Sequence, residues 1–379
     1  MDDRTLNRRQ LIGGMAVAAG AAGVGAMSAA GAAEPAVAPR SLDGPPPASF
    51  GPSQKAPITD VKNKVAYITG GSSGIGLGIA RALHEQGAKV ILGNLNDKQW
   101  EEALKEFPLN DPRVATVTQD VSDRGAWEAK ADEIEKKFGP VHILVNNAGV
   151  GLFSSVKDGT LNDWDWGMGV NFWGPVYGCR TFIPRMLKHG EGSHIVTTTS
   201  TDGVLLGTAG IYAVTKMAAS GLMEQLRHEL RDTNIGTSNL VPGQTTSNLG
   251  RSESEYRPET LRNAPPPQGA AANARPTGPR PARPLQPETT PLWARPQSAL
   301  TVGRLVVNAI VNNDMWIYPA PEYVVGVRAR GEAMAESMVP FTPMPEHIIA
   351  GRDRYYRTPI YAQEIEHRRA TRKRDIKGV

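Results

Sequence analysis

The sequence predicts one α/β domain built on a doubly wound parallel sheet. Three observations lead there. A short β-rich run ends in a glycine turn and continues into a helical pattern. A second β-rich run follows within about 30 residues of the first. Further short apolar runs alternate with helical patterns as far as residue 318. The 379 residues also leave room for two domains at roughly 100–200 residues each. Hydrophobic residues at 40% and charged residues at 21% exclude wholesale disorder. A lone cysteine, Cys179, excludes an intramolecular disulfide framework and a Cys-built zinc site, and the seven histidines are scattered, so no metal is expected. Net charge of +4 is mild and gathers in the tail, so no nucleic-acid partner is expected.

Residues 1–33 read as a targeting signal. Arg8-Arg9 stands before an interval without charge up to Glu34, mostly Ala and Gly, which ends in the small residues 28–33 suited to cleavage. The pair followed by Gln, Leu and Ile resembles a twin-arginine signal, which implies export of the folded protein to the periplasm by that machinery. An uncleaved membrane anchor is the alternative. Residues 34–61, rich in Pro and Gly, are expected to be a flexible linker.

The domain itself is expected over 62–340. Lys64–Thr69 is the first strand, Gly70-Gly71-Ser72-Ser73-Gly74-Ile75-Gly76 the turn, and Ile79, Ala80 and Leu83 mark a helix that Gly87 stops. Lys89–Leu92 is the second strand. Glycines at such a turn let the backbone bend sharply near a pyrophosphate, and the following helix offers its free N–H groups to it. Val114–Val117 precedes Asp120-Val121, and Val141–Val145 runs into Asn146-Asn147-Ala148-Gly149. Asn171 falls in a helical stretch. His194–Ser200 is a strand ending at a serine, Tyr212 and Lys216 are four apart on a helix, and a strand ends in Pro242-Gly243. Leu300–Asn312 has helical periodicity, Met315–Tyr318 looks like the last strand, and Pro321–Met338 another helix.

The spacing Thr69-Gly70-x-x-x-Gly74-x-Gly76, the N-N-A-G run and Tyr212-x-x-x-Lys216, in that order, resemble the classical short-chain dehydrogenase/reductase family over about 62–250. The resemblance implies a Rossmann-type fold, a nicotinamide cofactor and reversible oxidation of a secondary alcohol to a ketone. Its members are commonly homo-oligomers, dimers or tetramers. It implies that Tyr212 is the general acid/base, that Lys216 lowers its pKa and holds the nicotinamide ribose, that Ser200 hydrogen-bonds the substrate oxygen, and that Asn171 positions a water toward Lys216. Thr199 is the alternative to Ser200, which keeps an S-x-x-G pattern with Gly203. A free phenol titrates near ~10, so acting as a base at neutral pH requires roughly three units, about 4 kcal/mol, from neighbouring positive charge. Cofactor contacts are implied at Gly70, Ser72, Ser73, Gly74, Ile75, Gly76, Asn94, Asp120, Val121, Asn147, Ala148, Gly149, Tyr212, Lys216, Pro242 and Gly243.

Asn94 stands where the family usually carries Asp for NAD, with Arg at or just after it for NADP. It repels no phosphate, which tilts an otherwise open choice between NAD and NADP toward NADP. Residues 248–297, rich in Pro and Arg, are expected to be a lid or insertion on the substrate side, with Arg275, Arg280 and Arg283 able to meet an anionic substrate if they do not lie in a solvated linker. Trp164-Asp165-Trp166 and Tyr318-Pro319-x-Pro321-Glu322 narrow the resemblance to a bacterial subgroup that includes Cα-dehydrogenases of lignin-derived aryl ethers. Residues 341–379 are expected to be a basic extension, solvated or in contact with another subunit or an anionic surface. Two rivals remain at this stage: a nucleotide-binding sensor or partner without turnover, and an epimerase or dehydratase with bound cofactor.

Overall fold

The computed structural model describes residues 53–96, 99–207, 209–264, 297–337 and 358–371. Seven parallel strands form one sheet in the order β3-β2-β1-β4-β5-β6-β7. They are β1 (Val65–Thr69), β2 (Lys89–Asn94), β3 (Val114–Thr118), β4 (Ile143–Asn146), β5 (Ser193–Thr198), β6 (Ile235–Leu240) and β7 (Trp316–Ile317). β1, β4, β5 and β6 are buried along their whole length, as a parallel sheet covered on both faces requires.

Alternation along β1 divides the core. Ala66 and Ile68 point to one face, where Ile79 and Leu83 of α1 (Gly74–Glu85) and Val302, Val306 and Ile310 of α8 (Ala299–Asn312) pack. Val65 and Tyr67 point to the other. They meet Trp127 and Ile134 of α3 (Trp127–Phe138), Phe182 and Met186 of α5 (Gly174–His189) and Met223 and Leu226 of α6 (Gly210–Leu230). Helices α1 and α8 touch backbone to backbone. A Cβ at Gly78 would lie 2.1 Å from the Ala299 carbonyl oxygen, and one at Gly303 would lie 2.2 Å from the Gly78 oxygen.

The remaining helices among the described residues are α2 (Trp100–Leu104), α4 (Leu161–Met168), α7 (Ser252–Tyr256), α9 (Val324–Glu336) and α10 (Pro359–Thr371). A π-helical turn, Gly169–Trp173, joins α4 to α5. The strand order reverses between β1 and β4. The crevice at their carboxyl ends is where a ligand binds in such sheets.

Two boundaries differ from expectation. Residues 53–61 are not a free linker. The Gln54 amide donates to the carbonyls of Leu230, Thr233 and Ile235 at 3.2, 3.0 and 3.1 Å, and Ile58 and Val61 are buried in the core. Two apolar side chains and one amide thus dock the segment. The described part of the extension, 358–371, is α10, and it sits on its own domain. Glu364 Oε2 accepts from the Met315 amide at 3.1 Å, His367 and Arg368 meet Asp314 at 2.8 and 2.5 Å, and the Tyr361 ring stacks on Trp316. It covers the end of the sheet where β7 is only two residues long. The targeting segment 1–33, most of the linker and lid residues 265–296, with Arg275, Arg280 and Arg283, lie outside the described residues. Among the described residues no helix is long and apolar enough to cross a membrane, and no group of side chains could hold a metal ion.

Candidate active site

A cleft of about 700 Å³ opens at the carboxyl ends of the strands. One wall is the turn after β1. Gly70 and Gly74 adopt φ of +63° and +51°, which glycine tolerates and other residues resist. A Cβ at Gly76 would stand 2.2 Å from the Gly70 oxygen and 2.4 Å from the Asn147 amide nitrogen, so the turn closes only with glycine there. Ser73 is the N-cap of α1, yet its side chain makes no capping bond and the first turn holds no acidic residue. The amides at that helix end are left for an anionic ligand, which fits the pyrophosphate of a dinucleotide.

The residues expected at the cofactor divide into two kinds. Gly70, Ser73, Gly74, Ile75, Asn94, Asp120, Val121, Asn147, Ala148, Gly149, Pro242 and Gly243 line the cleft. Ser72 and Gly76 do not line it. The Ser72 hydroxyl donates to Gln99 at 3.2 Å instead, and Gly76 serves the turn. Asn147 braces that turn as well as lining the cleft. Its Nδ2 donates to the carbonyls of Thr69 and Gly70 at 3.1 and 3.2 Å, and its Oδ1 accepts from Thr198. Asn94 Nδ2 donates to the Asn96 carbonyl at 3.0 Å.

Ser200, Tyr212 and Lys216 come together at the far end of the cleft, although β5 and α6 deliver them separately. Ser200 follows β5 and caps the short 3-10 turn Thr201–Gly203, its Oγ accepting from the Asp202 amide at 3.1 Å. It lies near enough to the Tyr212 phenol to pull the phenol's pKa down. Thr199, the alternative, donates to Asn239 at 2.7 Å and to the Leu240 carbonyl, so its hydroxyl is engaged in the sheet. Lys216 is buried, donates to the Thr198 carbonyl at 2.9 Å and lies 5.8 Å from the centre of the Tyr212 ring.

The electrostatics differ from the expected acidic phenol. Burial pushes the Tyr212 hydroxyl above its ordinary range, the Ser200 hydroxyl pulls it back, and the Asp202 charge pushes it up again. Burial lowers the Lys216 ammonium to about 8. With protein groups alone, therefore, Tyr212 holds its proton. Desolvation of the phenolate outweighs the Ser200 hydroxyl, and the Lys216 ammonium is itself desolvated and bonded to a carbonyl.

Asn171 also differs. It is buried in the π-helical turn and does not line the cleft. Its Oδ1 accepts from the Val150 amide at 2.8 Å, and its Nδ2 donates to the Val150 carbonyl and to Thr215, both at 3.0 Å. The side chain therefore ties the chain after β4 to α6, the helix of Tyr212 and Lys216. A Cβ at Gly149 would lie 3.2 Å from both Asn171 Oδ1 and Lys216 Nζ, so the lysine and this brace are neighbours. π-helical turns of this kind recur at functional sites.

The substrate end has its own small core: Val150, Leu152, Trp166, Ala209, Ile211, Tyr212 and Ala213. The Phe153 ring lies 5.7 Å from the Tyr212 ring, and Trp166, Tyr256 and Tyr323 also line the cleft. Trp166 both packs in this core and lines the cleft. The described part of the expected lid, 248–264, contributes Leu249, Ser252, Tyr256, Pro258 and Leu261 to the wall. It is pinned by Arg257, whose Nη2 lies 2.7 Å from Asp163 in α4, both side chains being only 2% exposed. Arg257 also meets Glu253 at 3.0 Å and the Leu261 carbonyl at 2.8 Å, over the Trp166 ring at 5.2 Å. Neither Asp202 nor this ion pair was expected from sequence. An S-x-x-G pattern with an acidic residue inside it is the one signal that points to Asp202.

Comparison with known proteins agrees with this geometry. The family model described as short chain dehydrogenase matches residues 64–258. A Cα-dehydrogenase of Sphingobium sp. is 31% identical over 294 residues, 76% of this chain and 91% of that protein. An NADP-dependent (R)-specific alcohol dehydrogenase of Lentilactobacillus kefiri is 36% identical over 190 residues, 49% of this chain and 75% of that protein. A solved short-chain dehydrogenase/reductase from Burkholderia phymatum, in complex with NAD, superposes with a TM-score of 0.65 at 32% identity, covering 76% of this chain and all of that one. A glycine turn, an uncapped helix end and a Tyr–Lys pair held in one cleft, together with these likenesses, place the chain in the short-chain dehydrogenase/reductase family.

Proposed function

We propose that the protein interconverts a secondary alcohol and a ketone with NAD or NADP. The single observation that carries this is the convergence of Ser200, Tyr212 and Lys216 on the cleft that the glycine turn walls. A bound nicotinamide nucleotide supplies the hydride chemistry. The first turn of α1 would hold its pyrophosphate, and Lys216 its nicotinamide ribose. Ser200 holds the substrate oxygen and steadies the charge that develops there. In reduction the Tyr212 phenol, protonated in the protein alone, gives its proton to that oxygen. In oxidation Tyr212 takes the proton, and the positive charge of the oxidised nucleotide adds to Lys216 in favouring the phenolate. Asn171 keeps α6 in place relative to the loop after β4. Replacing Tyr212 with Phe tests the reading: turnover, followed by the absorbance of reduced nicotinamide, should vanish while nucleotide binding persists.

The aromatic lining by Phe153, Trp166, Tyr256 and Tyr323 supports an aryl carbinol as substrate, the class suggested by the likeness to the Cα-dehydrogenase. Among the described residues lining the cleft, Lys216 is the sole cation, and β5, which it adjoins, lies three strands from β2 and Asn94. The described lining beside Asn94 thus carries no cation for a 2′-phosphate, and Asp97 and Lys98 lie outside the described residues. Affinities for NAD and NADP measured side by side decide the preference. Export rests on Arg8-Arg9 and the uncharged run after it. Replacing both arginines with lysine should leave the protein in the cytoplasmic fraction. A homo-oligomer rests on the family likeness, and sedimentation measures it.

A further inference from the structure

The substrate end of the cleft holds a carboxylate that the acid/base chemistry does not use. Asp202 lines the cleft two residues after Ser200, half-buried. Its Oδ2 accepts from the Ser200 hydroxyl at a long 3.4 Å, and its Oδ1 accepts from no described residue. A half-buried carboxylate with one long hydrogen bond from the protein has room for a further donor, and a ligand that displaces the water around it would have to bring one. Burial raises its pKa and the Ser200 bond lowers it, with burial prevailing.

No described cation offsets this charge. Lys216 is committed to the Thr198 carbonyl, and Arg257 is buried and paired with Asp163 and Glu253. Besides Lys216, the other charged residues lining the cleft, Asp120 and Asp165, are also acidic. An anionic substrate would therefore bring like charge against Asp202 in a partly dry site. A neutral substrate with a hydroxyl next to its reacting carbon would give Asp202 the donor it lacks, because Asp202 and the reacting oxygen would both adjoin Ser200.

We infer that Asp202 is a specificity-determining residue: it accepts a hydrogen bond from a second hydroxyl adjacent to the reacting carbinol and excludes substrates with a carboxylate there. The inference rests on the reading of this site as an alcohol/ketone oxidoreductase. It also opposes the alternative that the arginine-rich lid recruits an anionic substrate.

Three benzylic carbinols that differ in one group test it: methyl phenyl carbinol, its hydroxymethyl analogue and mandelate. In the wild-type protein kcat/KM should be at least about tenfold higher for the hydroxymethyl compound than for the methyl one, and lowest for mandelate. Asp202→Ala should erase the preference for hydroxymethyl over methyl. Asp202→Asn, which removes only the charge, should raise mandelate relative to methyl by about tenfold. Dissociation constants of the matching ketones, read from tryptophan fluorescence with nucleotide bound, should move in parallel, and unchanged nucleotide affinity shows that both variants fold. Equal treatment of mandelate and the hydroxymethyl compound by the wild type, or ratios unaltered in both variants, overturns the inference. The two failures are separable: no change in nicotinamide absorbance with any of the three carbinols or their ketones removes the oxidoreductase reading, whereas unaltered ratios in an enzyme that turns them over remove only the role of Asp202.

Discussion

Replacing Arg257 with Met should loosen the substrate wall more than it unfolds the protein. Arg257 and Asp163 are 2.7 Å apart with 2% exposure each, and removing one partner leaves the other charge buried. Such losses cost about 3–5 kcal/mol. Here Asp163 keeps the Asn263 amide at 2.9 Å and the Thr160 amide at 3.1 Å, so the low end, about 3 kcal/mol, applies. If the domain bore all of it, Tm would fall by about 6–12 °C. The segment from 249 to 264 is thinly attached, however, and its release would take the Asn263 amide away but let water reach Asp163 in its place. The expected result is a smaller fall in Tm together with a rise in KM of about tenfold or more, since Tyr256 and Leu261 leave the wall. Thermal denaturation and steady-state kinetics on Arg257→Met, Asp163→Asn and the double variant close a thermodynamic cycle, with a coupling of about 2 kcal/mol expected. Burial pushes the Asp163 carboxyl up, but Asn263, Arg257 and the Thr160 amide outweigh it and hold it below the ordinary range. Its contribution to stability is therefore complete above the unfolded pKa, near ~4, and fades as pH falls through the lower folded value. Arg257→Met should lose less stability than the wild type across that acid window. Unchanged Tm and KM, or additive single variants, would refute the argument.

Four further outcomes follow from the same geometry. Tyr212→Phe should lose at least about a thousandfold in kcat, because the proton has no other carrier at that position, while calorimetric nucleotide affinity stays within severalfold. Lys216→Met should also abolish turnover yet stabilise the protein at neutral pH. The ammonium titrates at about 8 when folded and near ~10.4 when unfolded, so its burial costs up to about 3 kcal/mol below pH 8 and less as pH rises to the unfolded value. The lost bond to Thr198 trims the gain to about 1–2 kcal/mol, and a variant less stable than the wild type at pH 7 would contradict this. Gly78→Ala should force α1 from α8, because its Cβ would meet the Ala299 oxygen at 2.1 Å; a fall of more than about 2 kcal/mol in urea denaturation is expected. Deleting residues 358–379 should expose the β7 edge and leave Asp314 without His367 and Arg368, and chemical denaturation should show a lower midpoint.

Much of the scaffold was legible because its signals are local. Each strand is a short apolar run, and the glycines at 70, 74 and 76 are demanded by a turn a few residues long. Tyr212 and Lys216 share a helix face by spacing alone. Resemblance then supplied roles that spacing does not. Other features depend on residues far apart in the chain, which no periodicity records. Asn171 was given a water-positioning role, but its amide reaches Val150 and Thr215, 21 and 44 residues away. The supposed linker docks because Gln54 finds carbonyls some 180 residues on.

The residue types and their order determined by themselves that a parallel sheet would form, that a glycine turn would open at its carboxyl ends, and which phenol would share a helix face with a lysine. Only the tertiary structure decided how that phenol titrates, since desolvation depends on everything packed around it. The same holds for the Asp163–Arg257 tie and for Asp202. A carboxylate is solvated or costly according to the water that the rest of the fold removes, and that quantity exists only after the chain has closed on itself.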